Sequence, residues 1–81
     1  MPHYKVRYIA CRRQQVPEQK LDQFLAYRED FKYASADTPN DAVSAVRDEV
    51  LPQIAADTQS SDGLQGVHDP EFTLVSVVAA Y

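Results

Sequence analysis

The stretch Phe31–Ala56 constrains this chain most, because it reads as a strand, a tight joint and a capped helix in direct succession. Phe31-Lys32-Tyr33-Ala34-Ser35-Ala36 has no breaker and alternates in size as a half-buried strand does. In the joint, Thr38 can cap a helix whose first residue is Pro39, where a missing N–H costs nothing. Asp41 stands at the acidic position of a capping box. Val43, Val46, Val50 and Ile54 then recur at spacings of three and four, which is one helix face. Pro52 removes one backbone hydrogen bond and crowds the turn before it. The helix is therefore expected to kink near residues 48–51 or to stop there, with 53–56 as a loose last turn. Asp37 and Asp41 already occupy the positive end of this helix and no glycine admits a ligand, so the joint reads as a structural pin rather than an anion site.

The flanking segments supply the other elements. From His3 to Cys11, Tyr4, Val6, Tyr8 and Ala10 alternate with His3, Lys5, Arg7, Ile9 and Cys11, as in a strand with one face on the core. Arg12-Arg13-Gln14-Gln15 is polar and is expected to leave the sheet. Pro17 and Glu18 suit a first helical turn, and Leu21, Phe24, Leu25 and Arg28 follow at helical spacing. That pattern predicts an amphipathic helix over residues 17–29. The competing reading is a strand over 23–27, pairing with 31–36 across Arg28-Glu29-Asp30. Residues 57–69 form a long polar loop with both glycines, Gly63 and Gly66, of a kind that tends to be functional or mobile. Phe72 to Ala80 reads as a last strand, with Leu74, Val75, Val77 and Val78 apolar on both faces, which predicts a place in the middle of a sheet, or under a helix layer on one side and a partner on the other.

The expected fold is one α+β domain over residues 1–81, in the order β-α-β-α-β, with a three-stranded sheet and both helices on one face. The 31–36 strand and the last strand are expected to be parallel neighbours joined by a right-handed crossover. The expected core is Val6, Tyr8, Leu21, Phe24, Leu25, Phe31, Val43, Val46, Val50, Ile54, Leu74, Val75 and Val77. A chain of 81 residues buries roughly 60–65% of its unfolded surface, which leaves apolar area for self-association to cover. A homodimer through the far sheet face or an edge is expected.

Composition narrows the function classes. The single cysteine, Cys11, excludes an internal disulfide and a multi-cysteine zinc site. A lone thiol and the lack of an apolar signal core make the cytoplasm the expected location. No run approaches the ~20 apolar residues that span a bilayer, so no membrane role is expected. Net charge is −4 but unevenly spread. Residues 1–20 carry Lys5, Arg7, Arg12, Arg13 and Lys20 against Glu18 alone, whereas the rest carries Arg28, Lys32 and Arg47 against eleven acids. Lys5, Arg7, Arg12 and Arg13 are therefore the candidate partner-binding residues, steering a protein with an acidic surface. A nucleic-acid partner is not expected, because the chain is acidic and Tyr4 and Tyr8 alternate away from Lys5 and Arg7.

Other constellations are weaker. His3, His68, Asp69, Glu71 and Cys11 are suitable metal-ligand types, but no spacing pairs two strong ligands, and neither a metal nor a cofactor is expected. Cys11 adjoins Arg12 and Arg13, yet strand neighbours point to opposite faces, so the thiol reads as a packing residue. Pro2 stands after a removable Met1. Freed, its secondary amine could act as a general base. Pro2, the strand Tyr4–Ala10, Arg12 or Arg13 and the start Pro17-Glu18-Gln19-Lys20 together resemble the tautomerase superfamily in outline. That resemblance implies a small enzyme with Pro2 as catalytic base and Arg12 or Arg13 binding a substrate carboxylate. It covers about the first 25 residues and then departs, because a long helix and a late apolar strand follow. The favoured expectation is a non-catalytic binding or assembly module, with the enzyme as its alternative.

Overall fold

The computed structural model describes residues 1–16, 18 and 21–80. Its elements run β1 (His3–Gln15), β2 (Asp22–Ser35), α1 (Pro39–Asp57), a 3-10 turn (Gln59–Ser61) and β3 (Glu71–Ala80). The chain is thus a small α+β unit with an antiparallel three-stranded sheet and one helix. The sheet order is β2-β1-β3, with β1 in the centre.

The expected 17–29 helix is not formed over its described residues. From Asp22 onward that segment belongs to β2, antiparallel to β1, and Arg28-Glu29-Asp30 lies inside the ladder opposite Ala10, Ile9 and Tyr8. The competing reading is right that 23–27 is strand but not in its pairing, because the segment pairs with β1 and not with 31–36. The helix start at Pro17, Gln19 and Lys20 and the terminal Tyr81 lie outside the described residues. The order is β-β-α-β, with one helix in place of two. β1 also continues through Arg12–Gln15 instead of leaving the sheet. β2 and β3 run in the same direction, but β1 lies between them, so they are not neighbours. β3 is an edge strand, not the middle one.

The alternation of β1 decides where the core lies. Val6, Tyr8 and Ala10 point to one face and are buried against Ala42, Val46, Val50 and Ile54 of α1. Each fully buried aliphatic side chain there stabilises the fold by about 1.5–3 kcal/mol over exposure. Ala10, Ala36 and Ala42, which the expected core does not include, complete the observed one. Leu21, Phe24, Phe31, Leu74 and Val75, expected inside, are exposed. The helix cap is as its sequence implies: Thr38 Oγ1 accepts from Asp41 N at 3.1 Å, and Pro39 starts the helix. Pro52 neither stops the helix nor ends it early, since α1 continues to Asp57. No helix among the described residues is long and apolar enough to cross a membrane.

Tyr8 carries an internal cost in this core. Its ring is buried and stacks on Phe72, with centroids 5.4 Å apart, but its buried hydroxyl has no hydrogen-bond partner among the described residues. Such a group loses its water bonds without compensation. Tyr8→Phe should therefore leave stability unchanged or raise it by up to about 1 kcal/mol in urea titrations. A loss larger than that would show that the hydroxyl is bonded in solution.

Candidate functional site

Among the described residues, no element covers the face of the sheet opposite α1. β1 gives it His3, Lys5, Arg7, Ile9, Cys11 and Arg13. The register sets Tyr33 beside Lys5, Phe31 beside Arg7, Glu29 beside Ile9 and Tyr27 beside Cys11. On the other side Val78 lies beside Lys5 and Ser76 beside Arg7. The aromatic rings form two edge-to-face pairs, Phe31–Tyr33 at 5.6 Å and Phe24–Tyr27 at 5.1 Å. Phe24 joins this face because the register shifts between Arg12 and Arg13, which leaves Leu25 as an extra residue in β2.

The four basic residues expected to act together do not share one surface. Lys5 and Arg7 lie on the open face, and neither forms an ion pair among the described residues. Lys5 Nζ sits 4.3 Å from the centroid of the Phe31 ring, a cation–π contact. Arg7 borders a shallow trough of about 370 Å³, lined also by Glu29, Asp30, Phe31 and Val75. Arg13 is on the same face but engaged, through Nε to Glu71 at 2.8 Å and Nη1 to Asp22 at 3.1 Å. The hydrogen bond from Arg13 holds the Glu71 carboxyl below its ordinary range.

Arg12 points the other way and is buried at 8% exposure. Its Nε donates to His68 O at 2.9 Å, and one terminal nitrogen donates to Thr58 Oγ1 at 3.0 Å and Asp62 Oδ1 at 2.6 Å. These bonds pin the 57–69 segment to the sheet. Gln15 N to Gly66 O and His68 N to Arg13 O add backbone ties there. Arg12 is thus a structural tether with no surface to offer a partner.

The catalytic alternative lacks a shared site. Pro2 is exposed, and its carbonyl accepts from Ala36 N at 3.1 Å. Arg12 and Arg13 lie ten residues further along an extended strand, roughly 33 Å away at 3.3 Å per residue. One small substrate cannot reach both. Among the described residues, no three His, Cys, Asp or Glu side chains gather as a metal site would require. Cys11 is half buried, and burial together with a hydrogen bond to Glu71 pushes its thiol up, away from the reactive thiolate.

Sequence reasoning placed Lys5 and Arg7 correctly on the face away from the core but missed their aromatic neighbours on β2. The signal was present: Tyr27, Glu29, Phe31 and Tyr33 alternate with period two. What results is an exposed sheet face that sets aromatic and apolar side chains beside Lys5 and Arg7, which form no ion pair among the described residues. No protein family, no curated protein and no solved structure matches this chain.

Proposed function

We propose that this chain is a non-catalytic binding or assembly module of the cytoplasm, which self-associates and contacts an acidic protein partner through the open face of its sheet. The observation that carries this reading is the pair Lys5 and Arg7, free of carboxylate partners among the described residues and set beside Phe31, Tyr33, Val75 and Val78. The cations steer and orient an acidic segment, and the apolar surface around them supplies affinity. Glu29 and Glu71 lie on the same face and the chain's net charge is −4, which favours a partner with mixed apolar and acidic contacts over a polyphosphate backbone. The unpaired thiol of Cys11 fits a reducing compartment.

The test is affinity capture from native lysate at low and high salt, with the bound species identified and binding then repeated using purified components. An acidic protein should be retained at low salt and released at high salt. Arg7→Glu should weaken purified binding at least tenfold, about 1.4 kcal/mol, without changing the unfolding midpoint. Retention of the same protein by Arg7→Glu, or retention of nucleic acid alone, overturns the assignment.

A further inference from the structure

The two edges of the sheet differ in a way that points to what lies against one of them. β2 carries Asp22, Arg28, Glu29, Asp30 and Lys32 along its length, and charges of that kind keep a free edge from pairing with another chain. β3 carries no charge and no proline from Phe72 to Ala80. It also exposes large apolar side chains toward both sides of the sheet. Leu74, opposite Tyr8 on the helix side, is 43% exposed, while Val78, opposite Lys5 on the open side, is 52% exposed. A partner lying on the open face would cover Val78 and leave Leu74 wet. One lying beside the helix would do the reverse. A strand added at the β3 edge covers both.

We infer that this strand is β3 of a second copy, paired antiparallel about a two-fold axis at Ser76, so that two chains form one continuous six-stranded sheet. It rests on the self-association in the proposed function, not on the acidic partner. An identical partner is favoured because an uncharged strand meets its own copy without like-charge repulsion and has no charge with which to select a foreign strand.

The register also closes on itself. Against β1, Ser76 lies opposite Arg7 and Leu74 opposite Tyr8, so Val75 is the extra residue of a bulge. If Ser76 meets its own copy and the same bulge is kept, Leu74 lies opposite Val77 of the second copy. Val78 then lies opposite Thr73 of the second copy. The first pair is on the helix side and the second on the open side, as their pairing with β1 already requires. A two-fold axis normal to the sheet puts both helices on one side and merges the open faces on the other. The assembly would present the Lys5 and Arg7 cluster twice.

Sedimentation over a concentration series, combined with cysteine cross-linking, tests the arrangement. The wild-type chain should sediment as a dimer at high micromolar concentration, and Val78→Lys should shift it to monomer at the same concentration. In a Cys11→Ser background, Ser76→Cys should form a covalent dimer on oxidation, because directly opposed strand residues have Cα atoms about 4.5–5.5 Å apart, within disulfide range. Tyr33→Cys, on the open face but on the far strand, should form no covalent dimer under the same oxidation. A wild-type monomer throughout the series, or cross-linking at Tyr33 equal to that at Ser76, overturns the inference. Should Val78→Lys fail to fold, deuterium exchange of wild-type β3 decides: protection that rises with concentration supports the edge, and constant protection refutes it. Arg7→Glu leaves this edge intact, so loss of the acidic partner and loss of the dimer are separable results.

Discussion

Replacing Arg12 with methionine will lower the unfolding free energy by about 3 kcal/mol, whereas the same change at Arg13 will barely move the unfolding midpoint. The two residues are adjacent, both are arginine and both bond to carboxylates, yet the physics at each differs. Arg12 donates to a backbone carbonyl at His68, a buried hydroxyl at Thr58 and the Asp62 carboxylate. Hydrogen bonds from a charged donor contribute about 1.5–3 kcal/mol each and are not additive within one network. Methionine keeps much of the volume but leaves those acceptors without their donor. Thr58 is itself the C-terminal cap of α1, bonded through its hydroxyl to Ile54 O at 2.7 Å, so the end of the helix loosens with it. Arg12→Lys should rescue little, because one ammonium cannot span both the Nε and terminal-nitrogen directions. Arg13 instead bridges Asp22 and Glu71 at the surface, where solvent and salt screen the pairs. Urea titrations of the three variants check this. Equal losses at positions 12 and 13 would mean that the tether is not formed in solution.

That contrast marks the limit of what the sequence disclosed. Lys5, Arg7, Arg12 and Arg13 form one basic run on paper, and the alternation of a strand already divides them by face. What the sequence could not reveal is that β1 continues through Arg12 into a second layer built by the distant 57–69 segment. The capped helix was legible because its signals are local: Thr38 and Pro39 are adjacent, and Val46, Val50 and Ile54 follow at spacings of four. β2 was misread for an equally local reason. The extra residue Leu25 breaks the period of two, so Phe24, Leu25 and Arg28 fall at helical spacing although each belongs to a strand. The extra residue Val75 does the same to β3. It shifts the alternation midway, so apolar residues occupy both faces, and the pattern imitates a strand buried at the centre of a sheet. Ala10, Ala36 and Ala42 escaped notice because reading for bulk ignores the small residues that let helix and sheet approach. The aromatic half of the candidate site followed the β2 error, since Tyr27, Phe31 and Tyr33 gather only when that segment is one long strand.

The second large effect is expected at Gly66, and it reports on the same tether from the opposite side. Gly66 has φ +81°, a left-handed conformation that costs other L-residues about 1–2 kcal/mol. A Cβ there would also collide with the Gln15 carbonyl oxygen, a backbone atom that cannot swing away as a side-chain tip could. Relieving that collision means giving up the bond from Gln15 N to Gly66 O, now 2.8 Å. His68 is two residues on, so its backbone bond to Arg13 O and its carbonyl's bond from Arg12 would be disturbed too. Gly66→Ala should therefore destabilise by about 3 kcal/mol, strain and lost bonds together. Gly63→Ala is the control. Nothing lies within 4 Å of a Cβ at Gly63, so that change should be neutral or slightly stabilising through the unfolded chain. If the loop is held as one unit, the losses in Arg12→Met and Gly66→Ala will not add. The double variant should be less stable than either single one, but by clearly less than their sum. Full additivity would mean that Arg12 and Gly66 restrain the segment independently, and a neutral Gly66→Ala would mean that the segment does not rest against β1 at all.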